Sequence, residues 1–115
     1  MRFIDKKITT TELKQMADKN MFKLIKAVVD VERRVMVVDA EMHADEEKWL
    51  LGNGSKQSNL WGINLYPQNY GKEEFIEYDS MINLRPNDNN LTRGVDEPKI
   101  RGLIKEIVDE LVANE

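Results

Sequence analysis

The stretch VVDAEMHADEE, residues 37–47, holds the only histidine of the chain, His43, set among Asp39, Glu41, Asp45, Glu46 and Glu47. An imidazole titrates near neutral pH, and beside carboxylates it can carry a proton or ligate a divalent cation. If residues 39–45 are extended, the period of two puts Asp39, Glu41, His43 and Asp45 on one face. The catalytic reading makes His43, with Glu41 and Asp45, a general base or a set of divalent-metal ligands in a small hydrolase. The same residues also read as a solvated strand face, or as the acidic start of a helix whose positive end Asp45, Glu46 and Glu47 complement. One histidine among carboxylates is a weaker pattern than spaced histidines, so no dedicated metal site is assigned.

A second group is Asn64, Ser80, Asn83, Arg85, Asn90 and Arg93. The segments WGINLYP (61–67) and SMINLRP (80–86) both contain Ile-Asn-Leu-X-Pro. Read as neighbouring antiparallel strands stopped by proline, they set Asn64 beside Asn83 on a polar face, with Arg85 at its end. Asn90 and Arg93 follow in the asparagine-rich loop NDNNLTRG. A guanidinium fork beside amides suits a carboxylate or phosphate. The bland reading has the asparagines satisfying loop backbone and the arginines paired with surface acids. A glycine-rich phosphate loop, a Gly-X-Ser-X-Gly elbow and a zinc-spaced histidine pair are all missing, and the sequence names no cofactor.

These residues need elements to hold them. Thr9 with Glu12 has the spacing of a capping box and opens a helix to about Asp18, with Leu13, Met16 and Ala17 as its apolar stripe. Residues 2–8 before it suit an edge strand. The β-branched density of residues 24–40 predicts two strands, broken into a hairpin at Glu32–Arg34, where no glycine or asparagine marks the turn. HADEEKWLLGNGS predicts a short helix stopped by glycine. Beyond Asp96, Ile100, Leu103, Ile104, Ile107, Val108, Leu111 and Val112 give the strongest helical period of the chain, with Pro98 in the first turn. Trp49 and Trp61 are read as core, and Glu106, Asp109 and Glu110 as a solvated face.

The chain has 115 residues and a net charge of −4, is 33% charged, and contains no cysteine. That length makes one two-layer domain. The absence of cysteine removes disulfides and thiolate chemistry, in keeping with a cytoplasmic setting. An acidic chain lacks the basic face that DNA requires, and no apolar run is long enough to span a bilayer. The expected partners are a small anion or acidic group, and a second copy of the chain in a homodimer.

The segments KAVVDVE, EMHADEE, GSKQSNLWGINLYP, FIEYDSMINLRP and TRGVDEPKIR, in this order, resemble a family of small prokaryotic proteins catalogued only as a domain of unknown function. LWGINLYP with SMINLRP is the most specific part. The resemblance implies no activity. It draws Asp30, Glu41, His43, Asp45, Trp61, Asn64, Ser80, Asn83, Arg85 and Arg93 into one set, and it departs at Arg33-Arg34, where the family has a glycine in the hairpin turn. The fold expected is α+β: an antiparallel sheet of four to five strands with the N-terminal and C-terminal amphipathic helices on one face. A polar Asn/Arg cleft is expected on the other face or at the sheet end where the asparagine-rich loop returns. A non-enzymatic binding module using that cleft is the leading functional reading.

Overall fold

In the computed structural model, which describes all 115 residues, the chain opens with strands β1 (Arg2–Ile4) and β2 (Ile8–Thr9) and helix α1 (Thr10–Ala17). Thr9 caps α1. Its hydroxyl accepts the Glu12 amide at 3.1 Å, and the Glu12 carboxylate accepts the Thr9 amide at 2.9 Å. That reciprocal pair satisfies two amides left free by the helix start.

The valine-rich stretch forms the expected hairpin, β3 (Ile25–Asp30) and β4 (Val35–Val38). Its turn works without glycine because Asp30 organises it. Asp30 Oδ1 accepts the amides of Glu32 and Arg33, each at 2.9 Å, and Oδ2 accepts the Ser55 hydroxyl at 2.6 Å. Arg34 then takes the left-handed conformation at φ 57°, a geometry that favours glycine and costs other residues about 1 kcal/mol. Its guanidinium reaches Glu106 at 3.0 Å and Glu110 at 2.7 Å, tying the turn to the C-terminal helix. Part of the acidic face of that helix is therefore paired.

Strand β5 (Leu60–Leu65) joins β3 on the side away from β4, and a two-residue strand β6 (Ile76–Glu77) completes a five-stranded antiparallel sheet of order β1-β4-β3-β5-β6. Helix α2 (His43–Gly52) lies between β4 and β5 in sequence, and α3 (Pro98–Leu111) follows the asparagine-rich loop. The chain ends in β7 (Val112–Ala113), which pairs in parallel with β2 and so joins the two ends of the chain.

The two faces of the sheet are covered differently. Ile25, Ala27 and Val29 of β3, with Met36, Val38, Trp61, Ile63 and Leu65, form one hydrophobic cluster with Leu13 and Ala17 of α1 and Ile104, Ile107 and Val108 of α3. Alternation along the strands turns Val28, Val35, Val37 and Leu60 the other way, where they pack with Leu50 of α2. The face expected to hold a polar cleft is therefore closed by α2.

SMINLRP departs from the expected strand. Residues 80–86 form no strand. Met81–Asn83 make one turn of 3-10 helix, and the strand beside β5 is β6. The cause is local. The Ser80 hydroxyl accepts the Ile82 amide at 3.2 Å, which favours a turn over an extended ladder.

Candidate functional site

Asn83 does by side chain what a strand would do by backbone. Its Oδ1 accepts the Gly62 amide at 2.8 Å, while its Nδ2 donates to the carbonyls of Gly62 and Arg93, each at 2.9 Å. Gly62 is required there, because a Cβ would lie 2.6 Å from Ser80 Cβ and Oγ. Asn90 knits the following loop in the same way. Its Nδ2 donates to the carbonyls of Asn83 and Gly94, both at 2.7 Å, and its Oδ1 accepts the Asp96 amide at 2.9 Å. Ser80, Asn83 and Asn90 are all buried, with their polar groups committed to the chain's own backbone.

Arg85 is buried too, at 9% exposure. Its guanidinium lies over the Trp61 ring, 4.1 Å from the centroid, and Nη1 donates to the Gln57 carbonyl at 2.7 Å. Burial lowers its pKa, opposed by the charges of Asp88 and Glu47. Cation–π stacking on the indole compensates part of the lost hydration. Arg93 is exposed, its Nε bonded to Asp79 at 2.8 Å.

The inward face of α2 presents His43, Glu46 and Leu50 to the sheet, at i, i+3 and i+7. His43 Nε2 lies 2.7 Å from the Ile63 carbonyl. A carbonyl only accepts, so Nε2 carries the proton. Burial lowers the His43 pKa, partly offset by that bond; Lys26 and Arg93 press in the same direction as burial, and Asp79 against it. His43 thus lies within the field of Arg93, but it makes no bond to Asn83 or Arg85. Beside it on β5, Asn64 donates to Glu77 at 2.8 Å while its Oδ1 is buried without a partner. Glu41 and Asp45 point to solvent, and no three His, Asp or Glu side chains converge to hold a metal ion.

Glu46 is the residue the sequence reading missed. It has no solvent exposure, and its Oε2 accepts the Ala40 amide at 3.0 Å. Burial pushes its carboxyl up to about 9, against the pull of that amide and of Lys26. At neutral pH it is a protonated acid. The acidic run had suggested a complement to the helix dipole, yet the spacing of His43, Glu46 and Leu50 already placed Glu46 on the inward stripe.

A concavity of ligand size lies elsewhere, between α3 and the segment from Tyr70 to Tyr78. It encloses about 740 Å³. Tyr70, Phe75, Ile76 and Tyr78 supply its apolar wall, while Lys72, Arg101 and Lys105 face it together with Glu73 and Asp109. Tyr70 packs edge-on against Phe75, 5.2 Å between centroids, and the Tyr78 hydroxyl donates to the Arg101 carbonyl at 3.2 Å. The sequence held one hint of this groove, a glycine at position 102 inside the strongest helical pattern of the chain.

Residues 2–111 match the family model described as protein of unknown function, DUF5674. The chain belongs to this family. No curated protein and no solved structure matches it. In this DUF5674 chain the residues drawn together by resemblance divide by role. Asp30, Ser80 and Asn83 shape turns and the edge of β5, Trp61 and Arg85 stack, and His43 pins α2 to β5. No helix of the DUF5674 chain is long and apolar enough to cross a membrane.

Proposed function

We propose that this protein is a non-enzymatic binding module that seats an anionic group in the groove between α3 and the Tyr70–Tyr78 segment. The observation that carries this reading is the lining itself. A chain of net charge −4 gathers three cations and three aromatic rings around one concavity of ligand size. The anion-binding role expected of Asn64, Asn83, Arg85 and Arg93 is better met by Lys72 and Arg101, which line the groove and form no ion pair within the chain, whereas Arg85 is enclosed and Arg93 is held by Asp79. The hydrolase reading has less support, since His43 is buried against a carbonyl while Glu41 and Asp45 face solvent.

The test is a fragment library of small carboxylates and phosphates followed by amide chemical shifts. Fragments are expected to move the Gly71, Ile76 and Gly102 amides together. A library that leaves all three unmoved at millimolar concentration overturns the reading.

A further inference from the structure

Glycine inside a helix costs about 1 kcal/mol relative to alanine, so it calls for a reason. Gly62 has one, because Ser80 lies directly upon it. Gly102 has none in the packing of the fold. A Cβ there meets no atom within 4 Å. What the missing side chain leaves is bare helix backbone on the groove wall, close enough for a flat group to lie against. Tyr70 and Tyr78 line the same space, each fixed by a contact of its own. Rigid aromatic walls beside bare backbone suit a planar ring, which gains dispersion over its whole face and orders few side chains.

The charges select the rest of the ligand. Lys105 is paired with Asp109 at 2.7 Å. Lys72 forms no ion pair within the chain, and neither does Arg101. The Arg101 Nη1 donates to the Val95 and Asp96 carbonyls, which steadies the fork and leaves its other donors uncommitted. Two unpaired cations, one of them a planar fork, outnumber the one unpaired carboxylate of the lining, Glu73, and suit a phosphate.

We infer that the groove takes a planar ring bearing a phosphate, the nucleoside monophosphate class, and that Gly102 sets its depth for the ring; this rests on the groove being the binding site. The experiment is an amide-shift titration of the intact chain with AMP, adenosine and inorganic phosphate, repeated on Gly102→Ala and Gly102→Leu. AMP should move the Gly71 and Gly102 amides and bind at least roughly tenfold tighter than either part alone, about 1.4 kcal/mol. Both variants should keep or raise the thermal midpoint, alanine being the better helix former, and Gly102→Leu should weaken AMP by roughly tenfold or more. Equal binding of AMP and adenosine overturns the phosphate assignment, and undiminished AMP binding by folded Gly102→Leu overturns the role of Gly102. If other fragments move the groove amides while AMP does not, this inference fails and the binding reading stands. If nothing moves them, both fail.

Discussion

The carboxamide of Asn83 pairs with both backbone groups of Gly62, accepting its N–H at 2.8 Å and donating to its carbonyl at 2.9 Å. β6 pairs with β5 only at Asn64 and Leu65, so a single side chain continues the ladder at Gly62. A residue of the candidate ligand-binding group thus closes a sheet edge. Asn83→Ala strands the buried amide and carbonyl of Gly62, each worth about 1–3 kcal/mol when unsatisfied. Urea unfolding should show a loss of about 3 kcal/mol, and a loss below about 0.5 kcal/mol would mean the edge is satisfied by other groups. Gly62→Ala should also destabilise, since its Cβ would collide with Ser80.

Glu46 sets a pH dependence of definite sign. Its carboxyl titrates near 9 in the fold against 4.5 for an unperturbed glutamate. Between these values the unfolded chain has lost the proton that the folded chain keeps, so stability falls as pH rises through this window. Glu46→Gln preserves the shape and the bond to the Ala40 amide while removing the titration. It should match the parent near pH 4 and exceed it by several kcal/mol, as an order of magnitude, above pH 8. Parallel stability curves for the two proteins would refute a buried, protonated Glu46.

His43 acts in the opposite direction. Its pKa lies below the usual 6.5, so below that pH the unfolded chain binds a proton more readily than the folded one, and stability is lost as pH falls. An NMR titration of the imidazole should give a midpoint below 6.5 with Nε2 protonated in the neutral ring. His43→Leu should remove the acid-side loss, although it leaves the Ile63 carbonyl with one partner fewer. A normal midpoint would place the ring in water.

The hairpin turn carries a third kind of prediction. Arg34 is left-handed and also bridges Glu106 and Glu110. Arg34→Gly relieves the backbone and loses exposed ion pairs worth little each, so the stability should change by less than about 1 kcal/mol. Arg34→Val keeps the strain and adds β-branching; it should cost at least about 1 kcal/mol more than the glycine variant. Thermal unfolding of the pair decides this, and equal stability of the two variants would argue against the left-handed turn.

Arg85 and Lys are not interchangeable on an indole. Arg85→Lys removes the planar stack on Trp61 and the fork that reaches the Gln57 carbonyl. It should destabilise by about 1–2 kcal/mol and shift the tryptophan emission, as double-mutant analysis with Trp61→Phe can apportion. An unchanged emission and stability would mean the stack contributes nothing.

Local rules made much of the fold legible. The Thr9–Glu12 box, the β-branched density of β3 and β4, the glycine-stopped α2 and the apolar period of α3 each depend on near neighbours in the chain, and each stands in the structure. The α+β class and an antiparallel sheet of four to five strands were legible, and the sheet has five, although its last strand is Ile76–Glu77 rather than SMINLRP. SMINLRP misled because it copies the letters of β5 while its Ser80 caps a turn, a choice fixed by one hydroxyl against one amide.

What tertiary structure alone decided is where the polar groups go. A sequence states that Asn64, Asn83, Asn90, Arg85 and His43 are polar; it does not state whether water or backbone will satisfy them. Folding brought Gly62 to Asn83, Ile63 to His43 and Trp61 to Arg85; the cost of an unpaired buried group then committed Asn83 and His43 to structure, while Arg85 keeps Nε and Nη2 buried without a hydrogen-bond partner. The groove arose the same way, from α3 meeting a segment some thirty residues earlier. No local period could announce it, because its walls become neighbours only when the chain closes.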